Sequence, residues 1–115
     1  MTASYSCKNG VDDALIPTGV GYCYSDKNHP EWFLTDPAGN RIQSCSWSSL
    51  WLMDVGNASY QQAWLDNVAT EAKARGFDGV MLDDVNQSQT GHLCGRTIAT
   101  YPQAADFTAA MSRSA

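Results

Sequence analysis

Residues 50–84 restrict the fold more than any other part of the chain. Residues 50–55, closing the segment SWSSLWLMDV, are large and apolar except for Asp54, the pattern of a buried strand with a polar residue at its end. GNAS follows as turn and cap: Ser59 with Gln62 three positions later resembles a capping box, and Asn57 is a competing cap. Over residues 60–75, apolar side chains recur every fourth position at Tyr60, Trp64, Val68 and Ala72, with Ala63 and Leu65 beside them, which predicts an amphipathic helix. Lys73 and Arg75 suit its negative end and Gly76 a left-handed terminator. FDGVMLD, residues 77–83, then reads as the next strand, apolar at its centre. Strand, helix and strand joined by short links form a βαβ unit with parallel pairing and a right-handed crossover, so the expected class is α/β.

At 115 residues the chain is one domain's worth, and about half or less of a complete barrel enzyme. Within residues 1–115 the pattern divides into three. Residues 1–45 form a loop-rich rim in which VGYCY is a short strand and DPAGN a turn between two extended pieces. Residues 46–84 carry the βαβ unit. Residues 85–115 hold a polar loop and a terminal helix, with Pro102 at its first position and Ala105, Phe107, Ala110 and Met111 as its buried side.

A net charge of −5 argues against a broad grip on nucleic acid or an anionic membrane, and against acidic polymers as ligands. Only 17% of residues are charged, so Asn, Gln, Ser, Thr and Gly must cover the surface, a composition suited to an extracellular protein with an uncharged ligand. No apolar run reaches the roughly 20 residues of a membrane span, and MTASYSCKNG lacks the apolar segment of a signal peptide, so export would rest on a leader outside this sequence. Cys7, Cys23, Cys45 and Cys94 form no CxxC pair and allow three disulfide connectivities. Free thiols, or a metal site using His29, His92 and Cys94, are the other readings of these residues. The sequence contains no GxxxxGK, GxGxxG or HExxH, and neither a cofactor nor a metal is expected. Asn57-Ala58-Ser59 and Asn86-Gln87-Ser88 fit the acceptor pattern for N-glycosylation.

In parallel α/β sheets ligands bind beyond the carboxyl ends of the strands. Asp54, Asp83 and Asp84 would stand there. The strand period of two places Asp83 and Asp84 on opposite faces, so the two do not pair with each other. Hydrolysis of a glycosidic bond needs two carboxyl groups, one giving a proton to the leaving oxygen and one acting as nucleophile or as base for water. Asp83 is the main candidate and Asp54 its partner if their strands are neighbours; Asp84 either caps the following loop or acts beside Asp83. Trp32, beside a proline and a glutamate, is the candidate sugar-stacking platform, whereas Trp64 lies on the helix's core stripe. His29, His92 and Asn86 lie in polar surroundings that suit contacts to ligand hydroxyls.

HPEWFLTDPAGN, then WLMDVGNASYQQAW, then KARGFDGVMLDDVN, in that order, resemble an uncharacterised family of glycoside hydrolases with a TIM-barrel fold. More distantly they are similar to the endo-alpha-1,4-polygalactosaminidase-like barrels. The resemblance covers roughly residues 19–111 and implies a partial (β/α)8 barrel, a carbohydrate ligand and an acid at the LDD strand end as catalytic group, which is Asp83 here. The MDVGN position makes Asp54 a cleft residue.

Two functions follow as expectations. One is a hydrolase, or the catalytic fragment of one, acting on a neutral or weakly basic polysaccharide. The alternative is a noncatalytic carbohydrate-binding or structural remnant of a barrel enzyme. A family member would have later strands, and this chain has none after Met111, so either a longer parent chain or a homodimer whose sheets complete each other is expected.

Overall fold

The computed structural model describes residues 2–4, 7, 10–12, 19–47, 50–80 and 90–114. Its centre is a set of three extended pieces around residues 33–35, 41–43 and 51–53. The turn between the first two is built by Asp36, whose Oδ1 accepts from the amides of Ala38 at 3.0 Å and Asn40 at 2.9 Å, while Gly39 takes the left-handed φ of 87°. Thr35 and Arg41, Gln43 and Trp51, and Phe33 and Met53 face each other as antiparallel bridges. The pieces close into a ring. Leu34 N–H donates to the Leu52 carbonyl at 2.9 Å, Leu52 N–H to Ile42 at 2.9 Å, and Ile42 N–H back to Leu34 at 3.0 Å. All three side chains are buried, with Trp32, Phe33, Met53, Val55 and Tyr60 around them.

Strand β1 (Thr2–Ser4) adds to strand β2 (Trp51–Leu52) in antiparallel register, Thr2 opposite Leu52 and Ser4 opposite Trp51. The sequence predicts a longer strand here, paired in parallel. The short connection between residues 43 and 51 instead turns the chain straight back, which permits only an antiparallel neighbour, because a parallel one needs a crossover of a dozen or more residues. No parallel pair occurs among the described residues. Residues 77–80, where the second strand should begin, lie in no strand, and Phe77 and Val80 are 62% and 52% exposed; residues 81–89 lie outside the described residues.

Helix α1 (Tyr22–Asn28) stands where VGYCY predicts a strand. The cause is remote in sequence. Gly21 at the N-cap has no side chain to offer, and Asp12 takes over: its two carboxylate oxygens accept from the amides of Cys23 at 2.5 Å and Tyr24 at 3.0 Å. A Cβ on Gly21 would overlap that carboxylate. The Cys7–Cys23 disulfide ties the same turn to the N-terminal segment. Across from it, Arg41 donates to Asp26 at 2.6 Å and to the Tyr22 hydroxyl at 2.9 Å while its guanidinium lies 4.0 Å from the Phe33 ring centre. Burial works against the Arg41 charge, but these two hydrogen bonds outweigh it and hold the pKa above its ordinary value.

Helix α2 (Ala58–Arg75) matches the predicted helix closely. Of the two caps the sequence offers, Asn57 is used. Its Oδ1 accepts from Ser59 N at 3.0 Å and Tyr60 N at 3.2 Å, whereas Gln62 reaches forward to Asp66 at 2.8 Å. Gly76 ends the helix at φ 70°, and Arg75 pairs with Glu71 one turn back. Tyr60 is buried, but Trp64, Val68 and Ala72 further along the stripe are only partly covered and Leu65 is exposed.

Helix α3 (Thr90–Leu93) and helix α4 (Ala104–Ser114) complete the described structure. Phe107 and Ala110 are buried as the pattern predicts, Ala105 is exposed instead, and Pro102 precedes α4 rather than opening it; the Met111 side chain lies outside what is described. A second disulfide, Cys45–Cys94, ties α3 to the segment before β2, and with both pairs formed no free cysteine remains. Cys94 is therefore not a metal ligand, and among the described residues no cluster of His, Cys, Asp and Glu could hold a metal ion. No helix of the described residues is long and apolar enough to cross a membrane.

Two stability predictions follow from these connections. Replacing Asp12 by Ala strips both first-turn amides of α1 of their acceptor, and we expect a loss of about 1–2 kcal/mol in urea unfolding, comparable to that of Asn57→Ala at α2. Replacing Cys45 and Cys94 by Ser opens a closure spanning 49 residues and should cost roughly 4 kcal/mol on the chain-entropy account, against roughly 3 for the 16-residue closure of Cys7–Cys23. Equal urea midpoints for the two cysteine variants and the parent protein would contradict the second prediction.

Candidate active site around Asp54

Asp54 is placed by the hydrogen-bonded ring. Two residues beyond Leu52, its amide donates to the Trp32 carbonyl at 2.7 Å, the last bond between the two extended pieces before the chain turns into α2. Its carbonyl accepts from Asn57 N at 3.1 Å, so the backbone on both sides of the carboxylate is fixed. The side chain is partly buried, and its two oxygens are treated differently. Oδ1 accepts from Gly56 N at 3.0 Å and from the Tyr101 hydroxyl at 2.5 Å. Among the described residues Oδ2 has no hydrogen-bond partner. The carboxylate thus has one oxygen held by two donors and one held by none of the described residues.

Tyr101 arrives from the far end of the chain along a series of fixed points. The Cys45–Cys94 disulfide anchors the segment, Arg96 donates to the carbonyls of Leu93 and Gln43, Ile98 is buried, and Ala99 N–H donates to Thr35 at 2.8 Å. The Tyr101 ring then meets Phe107 edge to face at 6.1 Å. Gly56 completes the fit. A Cβ there would overlap the Tyr101 hydroxyl and press on Ala110 and on Asp54 Oδ1, so only glycine lets the phenol reach the carboxylate.

Trp32, whose carbonyl takes the Asp54 amide, belongs to a column of aromatic rings. Tyr60 meets Trp32 edge to face at 5.7 Å, His29 stacks on Trp32 at 3.9 Å with planes 9° apart, and Tyr24 lies 6.0 Å from His29. The sequence points to Trp32 as the sugar platform, and the structure corrects this: the indole is 2% exposed, covered by His29, and donates its N–H to Ser59 Oγ at 2.6 Å. His29 takes one face of the indole, and burial leaves no exposed face on which a ligand could stack. His29 keeps a partly open position, its Nδ1 2.9 Å from Glu31 Oε1, and that hydrogen bond holds the Glu31 carboxyl below its ordinary value. Deeper in, burial pushes the Tyr60 phenol pKa up, and its hydroxyl has no hydrogen-bond partner among the described residues. His92, the other histidine of interest, lies with Nδ1 2.9 Å from the buried Ser44 Oγ.

Asp83, Asp84 and Asn86 lie outside the described residues. Of the acids read from the sequence, the described site therefore contains Asp54, with His29 near the aromatic column. It also contains two residues that sequence reasoning does not select, Tyr101 and Gly56. Gly56, two positions after a strand-end acid, is a local signal that could have been read. Tyr101 leaves none, because it is 47 residues from its partner.

No curated protein and no solved structure matches the chain. A family model does, over residues 1–113, which takes in Asp54, Gly56, Tyr101 and both disulfides. By that match the chain belongs to the family described as hypothetical glycosyl hydrolase family 15.

Proposed function

We propose that the chain hydrolyses O-glycosidic bonds in a neutral or weakly basic polysaccharide, with Asp83 as the main carboxylate and Asp54 as the second. The observation that carries this reading is the Asp54 side chain, set at a strand end with Oδ1 tied down and Oδ2 without a hydrogen-bond partner among the described residues. In such a reaction one carboxyl group gives its proton to the leaving oxygen as the glycosidic C–O bond breaks. The other either attacks the anomeric carbon or takes a proton from the water that does, at about 5–5.5 Å separation for retention and about 6.5–9.5 Å for inversion. Asp84 stands beside Asp83, and His29 and Asn86 are contacts for sugar hydroxyls. Electrostatics favour an uncharged or basic chain as substrate, since a net charge of −5 repels an acidic one.

In this reading the chain is a portion of a (β/α)8 barrel distantly like the polygalactosaminidase-type barrels. Support comes from the capped 18-residue helix α2 following a strand-end acid, and from its partly covered stripe together with exposed Phe77 and Val80, which further strands of a barrel would cover. The antiparallel pairing of β2 with β1 and with the pieces before it departs from a parallel barrel and is then a local elaboration of this chain. Two disulfides support passage through an oxidising, extracellular compartment.

The test is release of reducing ends from unsubstituted and amino-substituted polysaccharides. Asp83→Asn and Asp54→Asn should each lower kcat by about 10²–10⁴, the usual range for loss of an acid or base, with circular dichroism unchanged. Full turnover by Asp83→Asn would remove it from the mechanism. Polysaccharide retention without any hydrolysis by the parent protein would replace the enzyme with a carbohydrate-binding remnant.

A further inference from the structure

We propose that Tyr101 is a positioning residue for Asp54, and that Asp54 Oδ2 is the oxygen presented to substrate. This rests on the reading of Asp54 as a catalytic carboxylate. A carboxylate with both oxygens free can rotate about its last side-chain bond and exchange them, so neither stays aligned with a reacting atom. Here two donors converge on the same oxygen: the Gly56 amide at 3.0 Å, rigid because it belongs to the backbone turn into α2, and the Tyr101 hydroxyl at 2.5 Å. Together they fix the plane of the carboxyl group and leave Oδ2 as the position without a partner among the described residues. Misalignment of about 1 Å in a reacting group can cost on the order of a hundredfold in rate, which is the effect such a clamp prevents.

Three features separate this arrangement from an ordinary loop tie. The phenol is placed without help from Asp54, by Ala99 bonded to Thr35, the buried Ile98 and the contact with Phe107. Room for it is made by a glycine whose Cβ would strike the hydroxyl itself. Both donors also choose one oxygen and spare the other, whereas a bond serving only to hold the loop would have no cause to favour either.

The experiment compares Tyr101→Phe, Asp54→Asn and the double variant on the polysaccharide cut by the parent protein, with thermal melting in parallel. The Phe ring keeps the packing against Phe107, so the variant retains its fold. Expected is a fall in kcat of about ten- to a hundredfold for Tyr101→Phe with KM changed less than twofold, and no further loss when it is added to Asp54→Asn. Gly56→Ala, which displaces the hydroxyl without removing it, should reproduce the kcat loss. An unchanged kcat in Tyr101→Phe beside an inactive Asp54→Asn overturns this inference and leaves the proposed function standing. A raised KM at full kcat, or losses that multiply in the double variant, also overturns it, since Tyr101 would then act independently of Asp54. Full activity in Asp54→Asn, or no hydrolysis by the parent protein, overturns the function reading, and this inference falls with it.

Discussion

The rest of the described structure depends on three backbone hydrogen bonds that run in a circle through the core. Leu34, Ile42 and Leu52 each donate to one of the others and accept from the remaining one, so six peptide groups are satisfied among three buried apolar residues. A buried peptide group left unpaired costs about as much as a lost hydrogen bond, and short extended pieces ordinarily leave such groups at their edges. Closing the pieces on one another removes that problem without a wide sheet. It also sets distances: Trp32, two residues before Leu34, bonds Asp54, two residues after Leu52. Trp32 of the aromatic column and Asp54 are backbone neighbours because the ring makes them so.

Around this ring, what was legible in the sequence was whatever is decided locally. Helix α2 follows from the four-residue spacing of Tyr60, Trp64, Val68 and Ala72, and from Asn57 and Gly76, whose roles need only the adjacent turn. The turn at Asp36 is readable for the same reason. Helix α1 was not, because its cap comes from Asp12, eleven residues before the amide it bonds, and replaces what Gly21 cannot supply. Trp32 misled because an indole flanked by Pro, Glu and His reads as a surface residue, yet His29 folds over it and removes the face a sugar would use. At β2 the apolar run is real, but its neighbours are set by chain connectivity, which composition does not encode. Asp54 is legible as a strand-end residue because a polar residue closing an apolar strand is itself a local pattern.

The remaining part of the site depends on distant closure. For the Tyr101 hydroxyl to meet Asp54, a span of 47 residues must be brought round, at a loop-closure cost of roughly 3.4 kcal/mol by the logarithmic rule. A hydrogen bond to a charged group returns about 1.5–3 kcal/mol net. The bond on its own therefore does not hold the two ends together. The Cys45–Cys94 disulfide, Leu93 and Ile98 in the core and Phe107 from α4 carry the closure, and the phenol arrives already placed. A contact that is a consequence of the fold and not its support can be altered at small cost to stability. Here that contact falls on one oxygen of the strand-end carboxylate, and among the described residues the other oxygen has no hydrogen-bond partner.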